Sequence, residues 1–207
     1  MAHDPHRIET VEELRGLIGE PSPVVAVKVT DALDEFSRAY IQRSPFLVMS
    51  TADQEGNQDI SPKGDGPGFV MIEDDRTLLI PDRKGNRLVF GLQNLLQNPH
   101  IGLIFLIPGT GETLRINGTA ELTRTPDILE RLAARGQPAV LAIRVHVREC
   151  FFHCAKAFLR AQLWKPEAWG ERHRVSLGAI TSKRFGAGDE ITRQIDEMIA
   201  DDYRDNL

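Results

Sequence analysis

Between residues 112 and 123 the sequence ETLRINGTAELT alternates with a strict period of two. Leu114, Ile116, Ala120 and Leu122 fall on one side, and Arg115, Asn117, Thr119 and Glu121 on the other. A helix cannot use that pattern, because its faces recur about every 3.6 residues. The stretch therefore reads as a half-buried strand, and such strands belong to antiparallel sheets with one wet face. AVLAIRVHVREC (139–150) repeats the pattern, with Ile143, Val145 and Val147 opposing Arg144, His146 and Arg148. Gly118 on the apolar side marks a tight bend or a bulge.

Shorter strand signals surround these two. FLVMSTA (46–52) is apolar and short, and DQEGNQ after it supplies turn chemistry. DISPKGD (59–65) reads as a strand running into a loop, and GFVMIEDDRTLLIP (68–81) as two strands around an acidic turn. IGLIFLI (101–107) is apolar on both faces, which predicts a fully buried strand. Helical signals fill the gaps. A short helix is expected in 11–19 and an extended arm in 21–29. Another helix is capped by Asp31, with Leu33, Phe36 and Tyr40 on one face, and ends at Pro45. Leu88, Leu92, Leu95 and Leu96 predict an amphipathic helix closed by Pro99. A short helix follows in 126–134. The tail from residue 188 predicts a last one, with Ile191, Ile195, Met198 and Ile199 facing one way. Six or seven short antiparallel strands with inserted helices make a mainly β, α+β fold, and closing them into a small barrel removes the sheet edges.

Composition limits the partners. Of 207 residues, 41% are hydrophobic and 27% charged, which suits a globular chain able to bury its own core. The formal net charge of −5 disfavours nonspecific nucleic-acid or anionic-membrane binding. The apolar run at 101–109 is too short to span a bilayer as a helix. Cys150 and Cys154 offer no disulfide framework, and residues 1–10 lack a secretory pattern, so a cytoplasmic protein is expected.

Against that acidic background, IPDRKGNR (80–87) gathers Arg83, Lys84 and Arg87 at the start of a helical pattern. Asn86 reads as the N-cap, Gly85 lets a ligand approach the backbone, and first-turn N–H groups would face a phosphate. Arg83 and Arg87 could flank it, while a solvated basic turn is the plainer alternative. Neither a dinucleotide fingerprint nor a Walker A pattern is present.

DISPKGDGPGF, IPDRKGNR, a helix ending QNP, a buried strand and ETLRINGTAEL occur in that order, followed by FHCAKA. This series, over roughly 46–169, resembles the FMN-binding split-barrel family related to pyridoxamine 5′-phosphate oxidase, in its bacterial FMN-dependent branch. The resemblance implies a six-stranded antiparallel split β-barrel of the FMN-binding type, forming a homodimer with flavin at the subunit interface. It implies an oxidoreductase acting by hydride transfer on a small molecule. A flavin or haem carrier on the same barrel and a deazaflavin-dependent reductase are its alternatives. Ile80, Pro81, Arg83, Asn86 and Arg87 would hold the phosphate and ribityl chain, with Ser61, Pro62 and Lys63 along the flavin. Thr113 and Arg115 would reach it from the second subunit, and Lys156, Arg160 and Trp164 stand as candidates for the cleft mouth. The Arg-Leu-x-Pro and Arg-x-His segments of true pyridoxamine phosphate oxidases are missing, which argues against vitamin B6 oxidation. The implied layout is an arm and helix in 1–44, the FMN-binding barrel in 45–165, and an extension in 166–207 whose helix packs on the barrel.

Flavin carries the redox chemistry, so no protein nucleophile is required and no catalytic residue is assigned. CFFHC (150–154) lacks the second ligand pair of a structural zinc site and reads as a buried thiol pair. Trp164 and Trp169 are expected to plug the barrel or the dimer seam. No G-x-S-x-G elbow supports a hydrolase.

Overall fold

In the computed structural model, which describes residues 4–205, the two alternating segments become the longest strands. In chain order the elements are α1 (Val11–Ile18), α2 (Pro23–Ala26), α3 (Glu35–Arg43), β1 (Phe46–Ala52), β2 (Gln58–Gly64), β3 (Met71–Ile72), β4 (Thr77–Asp82), α4 (Phe90–Gln97), β5 (His100–Leu106), β6 (Thr113–Thr123), α5 (Pro126–Arg131), β7 (Leu141–His153), α6 (Lys156–Ala161), α7 (Leu177–Phe185) and α8 (Asp189–Asp205). A short 3-10 turn, Pro166–Ala168, lies between α6 and α7. The strands form one antiparallel sheet in the order β2-β1-β5-β6-β7-β4-β3. The fold is the expected antiparallel split barrel, with seven strands rather than six because β3 adds a two-residue extension beyond β4.

Paired residues share a face, so the ladder defines the inside. Leu47, Phe105 and Leu114 lie on one rung and Met49, Leu103 and Ile116 on the next, all buried. Leu92 and Leu95 of α4 and Ile41 of α3 join that core. β4 is buried on both sides. Leu78 and Ile80 face the main core, while Leu79 packs with Ile128, Leu132, Ala139 and Ala142 under α5. Gly118 sits at a register shift between β6 and β7, confirming the bulge. A Cβ there would lie 2.1 Å from the carbonyl oxygen of His146, so only glycine fits.

Several local expectations change. Asp34, not Asp31, caps α3 by accepting from the Ser37 N–H, and the buried face is Ser37 and Ile41, leaving Phe36 exposed. The arm at 21–29 is not wholly extended, since Pro23 starts one helical turn after Ser22. β5 is not buried on both faces: Ile104 is 38% exposed on the outer side. Cys150 is buried but Cys154 is exposed, so they are not a buried pair. Burial pushes the Cys150 thiol up to about 11, which keeps it neutral and inert near pH 7. Trp169 is exposed, whereas Trp164 stacks on Phe158 and donates to the Thr110 carbonyl. α7 was not anticipated. It pairs with α8, where Asp196 accepts from the Ser176 hydroxyl and the Gly178 N–H. No helix among the described residues is long and apolar enough to cross a membrane. Residues 1–3 and 206–207 of the expected terminal segments lie outside the described residues.

Candidate functional site

The sheet curls until β2, at one end of the strand order, faces β4 across a seam. Side chains close that seam. Lys63 Nζ lies 2.6 Å from Asp82 Oδ1, and both side chains are largely buried. Just beyond, Arg83 donates from Nη2 and Nε to Asp65 Oδ2, at 3.1 and 3.2 Å. Arg83 Nη1 is buried as well but meets no acceptor. A buried donor left in that state costs about 1–3 kcal/mol.

These contacts sort the expected site residues. Ser61 and Lys63 pair with buried Met49 and Leu47, so both point to the inner side of β2. Pro62, between them, points outward and is exposed. Ile80 is fully buried in the core, and Pro81 is buried opposite Ala142. Both can border a ligand only through backbone and shape. Lys63 and Arg83 are held by carboxylates rather than free for a phosphate. Asp82 and Asp65 are the partners that sequence reading missed. The only signal was an acid beside each candidate cation, in PKGD and in PDR.

The loop at 84–89 departs further from expectation. Asn86 does not cap the helix. Its side chain accepts from the Leu88 N–H, and α4 starts at Phe90. Its N-cap is Val89, with φ 49° and no side-chain cap. Arg87 is also left-handed, at φ 63°. Two non-glycine residues in that region break the helical path, which delays the first turn. The N-terminus of α4 then rests on the sheet: a Cβ on Gly91 would meet Asp59 Oδ2 at 3.0 Å. A carboxylate thus already sits where a helix start favours negative charge. Lys84, Asn86 and Arg87 are exposed. Neither Lys84 nor Arg87 has an ion pair among the described residues.

β6 carries the remaining candidates. Thr113 is buried at the start of the strand. Arg115 is half-buried on the outer face, directly opposite Phe151, with its guanidinium carbon 5.1 Å from the ring centre. One outer rung runs Pro62, Val48, Ile104, Arg115, Phe151. At about 4.8 Å between strands, Pro62 and Arg115 lie roughly 14 Å apart. Lys156, Arg160 and His153 are exposed near the end of β7. Among the described residues, no group of three or more His, Cys, Asp or Glu side chains is placed to hold a metal ion.

Residues 33–154 match the family model of pyridoxamine 5′-phosphate oxidase. Among curated proteins none matches the chain. Among solved structures, HupZ of Group A Streptococcus is similar at 19% identity and a TM-score of 0.47, covering 58% of this chain and 93% of that one. A Clostridium acetobutylicum protein related to general stress protein 26, of the pyridoxinephosphate oxidase family, is 17% identical with a TM-score of 0.44, covering 59% and 91%. An FMN-binding protein from Syntrophomonas wolfei is 9% identical with a TM-score of 0.43, covering 68% and 95%.

Proposed function

Because the chain belongs to the pyridoxamine 5′-phosphate oxidase family, we propose that it is an FMN-dependent oxidoreductase, working as a homodimer on a small molecule by hydride transfer. The observation that carries this reading is the charge balance beside the seam. Asp82 and Asp65 neutralise Lys63 and Arg83, which leaves Lys84 and Arg87 as uncompensated cations on one short loop. In a chain of net charge −5, that loop is a local anion trap.

The residues present fit the cofactor. Asn86, Arg87 and Lys84 supply donors and charge for the phosphate. The unsatisfied Nη1 of Arg83 offers one buried N–H that a ligand oxygen would relieve. Ser61 and Lys63 border the ring from the inner face of β2, Ile80 and Pro81 line the phosphate and ribityl chain through backbone and shape, and Pro62 points away on the outer face. Thr113 and Arg115 approach from the second copy. That copy would also cover Phe46, Ile60 and Ile104, apolar residues exposed on the outer sheet face.

When bound, the flavin supplies two-electron redox chemistry. The chain binds and orients it and keeps water from the ring. The Lys63–Asp82 pair fixes the ammonium at one place on the barrel mouth, and Asp65 fixes the plane of the Arg83 fork.

Purification followed by absorbance and mass spectrometry tests this. The expected result is a flavin spectrum bleached by a reduced nicotinamide, with a released mass equal to FMN. Flavin bands inert to every reductant would make the protein a carrier. A deazaflavin mass would change the cofactor, and a Soret band would replace flavin by haem.

A further inference from the structure

The connection between β5 and β6 is gripped from outside at three successive residues. It opens with a tight turn, in which the Thr110 N–H donates to the Ile107 carbonyl at 3.0 Å. Pro108 and Gly109, the latter at φ 84°, take the central places that a type II turn gives to proline and glycine. Thr113 is the first residue of β6, so Thr110, Gly111 and Glu112 lie between the turn and the ladder. The Trp164 indole donates to the Thr110 carbonyl at 2.8 Å. A Cβ on Gly111 would lie 2.7 Å from the Cβ of Ala155, so the backbone there passes directly against the start of α6. The Tyr40 hydroxyl, from α3, donates to the Glu112 carbonyl at 2.6 Å.

Both donors are themselves fixed. The Trp164 ring stacks on Phe158, with centroids 5.8 Å apart and planes at 21°. Tyr40 meets Phe152 edge-on at 5.4 Å, and Phe152 lies opposite Leu114 on the ladder. A segment containing two glycines loses the most conformational freedom when it is ordered. Here that order comes from side chains 72 and 54 positions away along the chain. A neutral hydrogen bond adds little net stability, so what these contacts chiefly fix is position.

The residues placed in this way are the ones that follow. Thr113 and Arg115 open β6, and both belong to the flavin site completed by the second copy. Phe151 sets the Arg115 side chain, and the grip on the turn sets its backbone. We propose that Tyr40 and Trp164 are positioning residues of the flavin site. They hold residues 110–112 so that Thr113 and Arg115 of one copy meet the flavin ring bound by the other. Such contacts need placement to within about 0.5 Å, which a free glycine-containing turn does not provide. The proposal rests on the flavoenzyme reading of the same site.

Tyr40→Phe and Trp164→Phe each delete one donor and keep an aromatic ring. The test is titration of the full-length protein with FMN and with riboflavin. Each variant should bind both ligands about fivefold more weakly, because binding must then supply the order lost with one neutral hydrogen bond. The loss should be equal for the two ligands, since the placed residues meet the ring and not the phosphate. The absorption bands of the bound flavin should also shift, a change that a merely structural contact would not produce. In flavin-free protein, amide exchange at 111–113 should accelerate. Trp169→Phe loses an indole bond to the Leu163 carbonyl in the same segment and should match wild type throughout. Wild-type affinity and bands in Tyr40→Phe and Trp164→Phe would overturn the proposal. So would a loss confined to FMN, or an equal loss in Trp169→Phe. A wild-type protein that binds neither ligand would defeat the flavoenzyme reading and this role with it, whereas wild-type binding with unaltered variants defeats the positioning role alone.

Discussion

Single residues fix this barrel where backbone meets backbone. Gly118 is the clearest case, because an added Cβ would sit 2.1 Å from the His146 oxygen and 3.0 Å from its carbonyl carbon. Those are backbone atoms that cannot rotate away. Gly118→Ala should therefore cost about 3 kcal/mol by forcing β6 and β7 apart. Urea unfolding would show a lower midpoint, and a change below about 0.5 kcal/mol would contradict the bulge geometry. This glycine was legible in the sequence because it interrupts the apolar side of a clean alternation. Asp65 and Asp82 were not, because a bridge across the seam depends on how far the strands are staggered, and no local pattern records that stagger. The pairing of Thr30 with Cys150 was hidden for the same reason: the two are adjacent only in the folded sheet.

At the scale of elements, the strands follow the period-two pattern closely, since burial of one face dictates it. Helix starts were less legible. The α4 start slipped from Asn86 to Phe90 because Arg87 and Val89 take left-handed backbone, which nothing in their identity announces. α7 was missed although Ser176 and Gly186 are ordinary caps, because its apolar face is weak and its packing partner is α8. The α7–α8 hairpin depends on Asp196. Its hydrogen bonds from the Ser176 hydroxyl and the Gly178 N–H hold its carboxyl below the ordinary aspartate value of 3.8. A depressed folded value means that this support is complete above the ordinary value and disappears as pH falls through the folded one. Amide exchange in α7 should accordingly accelerate below about pH 4. Asp196→Ala should show the same fast exchange already at neutral pH. Full protection of α7 in that variant would contradict the role given to Asp196.

At the scale of the molecule, the outer sheet face is unfinished. The sequence pointed to burial of Ile104, and a single copy leaves it exposed beside Ile60 and Phe46. In the proposed homodimer, a second copy would cover that face. Ile104→Glu would place a charge in the proposed interface at a cost of several kcal/mol. Light scattering should then report about half the wild-type mass, and an unchanged dimer would remove this face from the interface.

The central claim is that the loop bearing Lys84, Asn86 and Arg87 grips the phosphate of a bound flavin. Riboflavin has the same ring without that phosphate, so comparing the two ligands isolates the contact. Arg87→Ala should lose one charge-assisted bond worth roughly 1.5–3 kcal/mol, weakening FMN about tenfold or more while leaving riboflavin affinity unchanged. Equal FMN affinity in wild type and variant, or an equal loss for both ligands, would contradict the account.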